Sequence, residues 1–404
     1  MDTQKNKEKI IDEILERGIS AVYPSKEELK KILLSGKKLR IYLGADPTGK
    51  DLHIGHSKNY LLLEKFMKLG HEVIILFGDF TAMIGDPTDK GSARVSLSKK
   101  QVEENLKTWK KQINPIIPLE MFSKKAKVVK NSTWLSKLTF KDVVELSSNF
   151  TVQQMIERDM FAQRLKENKP IYLHEFMYPL MQGYDSVALD VDLEIGGTDQ
   201  TFNMLAGRTL LRKIKNKEKF VITTELVVDS KTGKKMSKSE GNYVGLLESP
   251  NEMFGKIMSL GDGFIAPLLR DCTRLTLEEI KKYEDSLQNG SNPRDIKIIL
   301  AQEIVSIYHG PKNAKKAKEA FVSTFSDKDI KEENFKEIKI NEAEVLSEIL
   351  VAEKILSSKG EFARLVKEGG VTILISGEKV TDIRFVAKKG EKYKIGKKHF
   401  IKIV

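Results

Sequence analysis

A chain of 404 residues and 45.8 kDa has room for two or three domains, each with its own core, which excludes a disordered peptide or a disulfide-stapled miniprotein. Lys and Arg number 69 and Asp and Glu 57, a net charge of +12 that draws phosphate-bearing partners without choosing between RNA, DNA and nucleotide. Cys272 is the only cysteine, so an intrachain disulfide and a thiolate zinc cluster are both excluded and a reducing compartment is expected. No apolar run is long enough for a bilayer, and the charged opening MDTQKNKEKIIDEILERG lacks the apolar core of a targeting segment. The expected location is cytoplasmic, away from membranes.

After an amphipathic opening helix, residues 39–45 (LRIYLGA) read as a buried strand, followed by the breakers Asp46-Pro47-Thr48-Gly49 and a helix ending at Gly70. A second buried strand follows at 73–77. Strand, loop, helix and strand make the βαβ unit of a parallel sheet, whose ligands gather at the carboxyl ends of the strands. Residues 99–189 read as mostly helical, an insertion between two sheet halves, and lead to a strand at 191–195 with Gly196-Gly197 behind it. A helix at 199–214, a strand at 220–226 and the turn-forming run Asp229-Ser230-Lys231-Thr232-Gly233 come next. Beyond Pro250 the pattern is helical, notably at 277–287 and 293–308. Residues 326–342 are polar and charged and read as a linker, and from Glu344 a helix precedes short strand-like runs at 371–375, 393–395 and 400–404.

Two short runs carry chemistry. His53-Ile54-Gly55-His56 opens the first βαβ helix, where unpaired backbone N–H groups and the helix dipole already favour phosphate, and two imidazoles one turn apart can add donors. The same pair would serve as plain helix-end histidines, or as half of a metal site whose other ligands the four remaining histidines and single cysteine do not obviously supply. Lys235-Met236-Ser237-Lys238-Ser239 places two ammoniums and two hydroxyls on a short loop able to close over a triphosphate, although lysine clusters are commonly just solvated loops.

Their pairing, about 180 residues apart, resembles the two signature motifs of class I aminoacyl-tRNA synthetases, both matched without substitution. The runs Tyr42-Leu-Gly-Ala-Asp46-Pro-Thr48-Gly-Lys-Asp-Leu52, Gly85-Asp86-Pro87-Thr88, Tyr178-Pro-Leu-Met-Gln182-Gly-Tyr-Asp185 and Gly196-Gly-Thr-Asp199-Gln200 narrow the resemblance to the bacterial tyrosyl-tRNA synthetases, over essentially the whole chain. The implied fold is α/β. A Rossmann-like parallel-sheet catalytic domain (1–245, with a helical insertion at about 99–189) is followed by an α-helical tRNA-binding domain (246–330), a linker (331–343) and a small α+β S4-like RNA-binding domain (344–404).

By position, the resemblance implies that Tyr42 and Asp185 meet a phenol hydroxyl, with Gln182 nearby, and that Thr81, Asp86, Tyr178, Gln182 and Gln200 surround the ammonium and carboxylate end of L-tyrosine. A phenol in an apolar slot needs a donor and an acceptor, which a tyrosine hydroxyl and a carboxylate provide. The nucleotide side falls on Asp46, Thr48, His53, Gly55 and His56, with Asp199 in the ribose position. Lys90 and Arg94 would join Lys235, Lys238 and Ser239 on the pyrophosphate. ATP is then a substrate, Mg2+ accompanies it on phosphate oxygens, and tRNA(Tyr) is the acceptor. The implied assembly is a homodimer paired through the insertion, around residues 134–161.

The tail, Ser358-Lys-Gly-Glu-Phe-Ala-Arg364 onward, resembles an S4-type domain, with lysines at 388, 389, 392, 394, 397, 398 and 402 as a footprint for a phosphate backbone. Phe362 stands where that family usually has a small residue. Two competing readings are a tryptophanyl-tRNA synthetase and a non-catalytic RNA-binding protein on the same scaffold. Tyr42 and Asp185 oppose the first, since an indole offers one donor and no acceptor, and intact His53, His56, Lys235 and Lys238 oppose the second.

Overall fold

The computed structural model describes residues 2–86, 97–119, 126–238, 240–325, 335–340, 344–374, 378–396 and 399–404. The chain forms two compact units, Met1–Lys318 and Glu319–Val404. No helix among the described residues is long and apolar enough to cross a membrane.

The first unit is built on six strands: β1 (Ile19–Tyr23), β2 (Arg40–Ala45), β3 (Glu72–Phe77), β4 (Ala126–Lys130), β5 (Leu193–Gly197) and β6 (Phe220–Thr224). Their order across the sheet is β1-β6-β5-β2-β3-β4, parallel except where β1 runs against β6. The continuous apolar character of β2 and β3 suits strands covered on both faces, and Ile41, Val73 and Ile75 are completely buried. The order reverses direction between β2 and β5, and their carboxyl ends open there into a crevice, the usual place for a ligand in such a sheet. The helix Leu173–Leu189 packs along Thr201–Lys215 and presents one face to that crevice.

Several elements differ from the sequence reading. β1 lies inside what reads as a helical opening; it has one neighbour only and is half exposed, so it lacks the apolar run of a central strand. β4 falls inside the expected insertion of 99–189. Its sequence AKVVK spaces two lysines three apart, as a helix would, but at the sheet edge both reach solvent while Val128 and Val129 are half-buried. The helix Lys99–Ile113 and β4 therefore complete the parallel sheet, and the helical insertion starts only after Lys130. The strand expected at 191–195 sits at Leu193–Gly197 because Gly196 and Gly197 pair with Thr223 and Thr224 of β6.

In the second unit, β7 (Lys336–Ile338), β8 (Val371–Ile373), β9 (Lys392–Ile395) and β10 (His399–Ile403) form a sheet in the order β7-β10-β9-β8. Residues 336–338, read as linker from their charge, are thus an edge strand parallel to β10, with Ile338 buried and the two flanking charges exposed. Phe362, Tyr393, Ile395 and Ile401 are completely buried in a core of this unit's own. Phe362 fills the centre of that core, which accounts for a large side chain at its position.

Candidate active site

A cavity of about 210 Å3 opens at the carboxyl ends of β2 and β5. Asp46, one residue past β2, accepts from the Thr81 hydroxyl at 2.6 Å and from the Tyr178 hydroxyl at 2.7 Å. Gly78, after β3, is required for this: a Cβ there would lie 1.9 Å from Asp46 Oδ1 and 2.3 Å from Thr81 Oγ1. Tyr178, Gln182 and Asp185 follow one another at four and three residues, so the helix Leu173–Leu189 delivers all three to the cavity wall. On the opposite side Gln200 donates to Asp86 at 2.7 Å and to Asp199 at 3.0 Å, and Arg158 reaches to 4.0 Å from Asp86. Burial and the neighbouring Asp46 push the Tyr178 phenol well above its ordinary pKa, so it stays a donor.

The structure thus brings together Asp46, Thr48, Thr81, Asp86, Tyr178, Gln182, Asp185 and Gln200. It departs from the expectation at Tyr42. That side chain is completely buried beneath the cavity, packed among Ile74, Leu76 and Val191, with its hydroxyl 3.1 Å from Ser186 Oγ rather than on the cavity surface. Asp185 is also provided with partners, accepting from Trp134 Nε1 at 2.7 Å and Asn131 Nδ2 at 3.3 Å. Asn131 further donates to Thr81 at 3.0 Å and accepts from the backbone N–H of Phe80 at 3.0 Å. Asn131, Trp134, Ser186 and Glu194 are site residues that sequence reasoning missed. The usable signals were an Asn immediately after a strand and a lone carboxylate in the apolar run Leu193-Glu194-Ile195.

The loop from Asp46 to His53 leads to a second cluster. Side chains of the helix Lys99–Ile113 hold this loop: Asn105 donates to the carbonyl of Pro47 at 2.7 Å, Trp109 to Gly49 at 2.8 Å and Gln112 to Lys50 at 2.9 Å. His53 caps the helix Ile54–Lys68, and its N–H donates to His56 Nδ1 at 3.1 Å. The two rings lie 3.8 Å apart. A Cβ on Gly55 would stand 3.0 Å from His53 Nδ1, so glycine lets the His53 ring lie against the first helical turn.

The lysine-rich loop is tied to this helix start by backbone bonds. Ile54 N donates to the Val244 carbonyl at 3.0 Å and Leu246 N to Leu52 at 3.1 Å, while Met236 N donates to Val227 at 2.9 Å. Asn242 brackets the loop, accepting from Ser237 N at 2.9 Å and donating to the Lys235 carbonyl at 3.1 Å. Lys235 is exposed; Lys238 is 42% exposed, lies 3.5 Å from Asp51 and sits over the Tyr243 ring. Asp199 lies in the turn Thr198–Gln200, beside the cavity rather than in its lining. Lys90, Arg94 and Ser239 lie outside the described residues, as do Lys397 and Lys398 of the tail. Among the described residues no three His, Cys, Asp or Glu side chains are grouped to hold a metal ion.

Burial, with His56 and Lys238 adding to it, pushes the His53 imidazole down to about 3. Burial also pushes His71 to about 4, and its Nδ1 accepts from the backbone N–H of Leu39 at 3.1 Å, a bond that protonation removes. Between these values and the ordinary 6.5 the unfolded chain binds more protons than the folded one, so folding stability falls as pH drops from about 6.5 to 4. Melting temperatures measured from pH 7 to 4 will show this fall, and a His53→Asn, His71→Asn double variant will make it shallower, the remainder coming from His56, which burial also pushes down to about 4.

A parallel sheet with a polar crevice at its switch point, a histidine-lined helix start and a lysine loop laced to that start has the construction of a class I synthetase. The family described as tRNA synthetases class I (W and Y) matches residues 34–326, and the chain belongs to that family. Among similar proteins, the tyrosine--tRNA ligase of Carboxydothermus hydrogenoformans is 44% identical over 405 aligned residues, covering 97% of each chain. Those of Haemophilus ducreyi and Thermotoga maritima are each 42% identical, with 96% of each chain covered. A C-terminally truncated mitochondrial tyrosyl-tRNA synthetase from Coccidioides posadasii shares the fold at 23% identity and a TM-score of 0.64, over 79% of this chain and 96% of its own.

Proposed function

We infer that this protein is a tyrosine–tRNA ligase, which joins L-tyrosine to ATP as tyrosyl-adenylate and then transfers the tyrosyl group to the 3′-terminal adenosine of tRNA(Tyr). The observation that carries this is the cavity, where a buried carboxylate, Asp185, closes a pocket whose other end holds Asp86, Tyr178, Gln182 and also Asp46, which the resemblance assigns to the nucleotide side but which here accepts from Thr81 and Tyr178. A tyrosine placed there meets an acceptor at its phenol and oxygen acceptors at its ammonium. In the first step the tyrosine carboxylate oxygen forms a bond to the α-phosphorus of ATP while the bond to pyrophosphate breaks. The protein contributes position and charge rather than a nucleophile. Thr48, His53 and His56 are assigned to the ATP phosphates, Gly55 and Asp199 to the adenosine side, and Lys235, Lys238, Ser239, Lys90 and Arg94 to the departing pyrophosphate. Mg2+ would be carried by the phosphate oxygens of ATP. The reaction belongs in the cytoplasm. Pyrophosphate exchange assayed with each amino acid in turn tests the assignment: exchange dependent on tyrosine supports it, and exchange dependent on tryptophan or on no amino acid overturns it.

The tail unit is assigned to RNA. Its sheet carries Lys392, Lys394 and Lys402, and it has a core of its own. The cut that respects the fold falls before β7, which belongs to the tail's sheet. Removing residues 326–404 is expected to leave tyrosine-dependent pyrophosphate exchange within about twofold. The same cut should weaken tRNA binding and flatten its salt dependence, since each lost phosphate contact removes about one counterion from the slope. A filter-binding salt series on both proteins measures this.

The working form is assigned as a homodimer. Phe140, Val144 and Val152 of the insertion are 85%, 54% and 63% exposed, a group of apolar side chains that a second copy would cover. Sedimentation at micromolar concentration should give a dimer, and Phe140→Glu should shift it toward monomer.

A further inference from the structure

An ion pair that no step above uses runs from the cavity wall, at Glu194, to Lys219 behind it. Lys219, one residue before β6, is completely buried, and Glu194 on β5 is 2% exposed. Lys219 Nζ contacts Glu194 Oε2 and donates to Ser186 Oγ at 2.8 Å. Ser186 Oγ in turn donates to Glu194 Oε2 at 3.4 Å, and the Tyr42 hydroxyl lies 3.1 Å from Ser186 Oγ. The other oxygen, Oε1, receives Gln182 Nε2 at 3.1 Å. Burying two opposite charges costs desolvation that apolar residues of the same volume would avoid, so stability alone is a weak reason for this pair.

Glu194 lines the cavity wall itself, and it also acts on the cavity through a second lining side chain, Gln182. A carboxylate accepts hydrogen bonds and cannot donate them, so the bond to Glu194 must come from the NH2 group of Gln182. That leaves the Gln182 carbonyl oxygen for the cavity that this residue lines. Had position 194 been a glutamine, its amide group would face the amide of Gln182 and the Gln182 carboxamide would turn over, presenting its NH2 instead. Lys219 Nζ only donates, so it takes Glu194 Oε2 as its acceptor and leaves Oε1 to Gln182.

We propose that Glu194, paired with the buried Lys219, is a positioning residue for the amino-acid substrate: it locks the Gln182 carboxamide with its oxygen toward the cavity, where that oxygen accepts from the substrate ammonium. This rests on the tyrosine-activating reading of the same cavity. A donor presented in place of that acceptor would face an ammonium that has only donors, so the loss falls on amino-acid affinity. ATP binding and the chemical step are untouched by it.

The test is a cycle of near-isosteric variants in the full-length protein, followed by pyrophosphate exchange. Glu194→Gln is expected to raise KM for tyrosine about tenfold to a hundredfold, the range for a lost hydrogen bond to a charged group, with KM for ATP and kcat within about twofold. In a Gln182→Ala background the same substitution is expected to change KM for tyrosine by less than about twofold, because the group it acts through is gone. An unchanged KM for tyrosine, an equal rise in both backgrounds, or a fall in kcat with KM unmoved would each overturn the proposal. Should the parent protein exchange with another amino acid, the tyrosine reading fails, and the cycle run on that amino acid still decides the role of Glu194.

Discussion

Replacing Asp185 by asparagine is expected to lower kcat/KM for tyrosine in pyrophosphate exchange by about a hundredfold, which corresponds to about 2.7 kcal/mol. The side chain is 1% exposed, and burial pushes its carboxyl well above the usual range while Trp134 and Asn131 pull it back by donating to it. An asparagine must keep its oxygen toward Trp134 Nε1, because an indole only donates, and so it turns its NH2 toward Asn131 and the cavity. The phenol of tyrosine then loses its acceptor. Phenylalanine has no hydroxyl to lose, so its much poorer kcat/KM should change little and the selectivity for tyrosine should narrow by the same factor. KM for ATP serves as the control. An equal loss for tyrosine and phenylalanine would place Asp185 in the frame of the protein rather than at the substrate.

Lys238→Ala is expected to lower kcat for adenylate formation by about a hundredfold to a thousandfold, with KM for tyrosine within about twofold. Its ammonium is paired with Asp51 at 3.5 Å, but both side chains are substantially exposed, at 42% and 54%. An exposed pair of this kind contributes little and is readily exchanged for a more highly charged partner. A pyrophosphate in the act of leaving is such a partner, and the charge it gains exists only in the transition state, so the loss appears in kcat and not in substrate affinity. Rapid-quench measurement of adenylate formation, alongside tyrosine binding at equilibrium, separates the two. A loss of tyrosine affinity as large as the loss of rate would refute the assignment.

The legible parts of the site were those written contiguously. His53 to His56 and Lys235 to Lys238 could be found because a helix start and a loop fix their own backbone, and the spacing of Tyr178, Gln182 and Asp185 placed them on one helix face. The edge strands β1 and β4 were not legible, since a strand with one neighbour and a half-exposed surface has no continuous apolar run to announce it. The edge strand β7 was hidden in the same way by the charges around it.

The sequence by itself determined the class of protein, the parallel sheet with its crevice, and the residue types available for the chemistry. Only the tertiary structure decided which of them meet. Tyr178 finds Asp46 across 132 residues, and Asn131 Nδ2 joins Thr81 to Asp185. The same packing takes the Tyr42 hydroxyl away from the cavity and gives it to Ser186, and it sets Lys219 against Glu194. The physical reason is that backbone conformation follows from neighbours along the chain. The partner of a buried polar group is chosen by whatever the fold packs beside it, under the demand that none be left without a hydrogen bond.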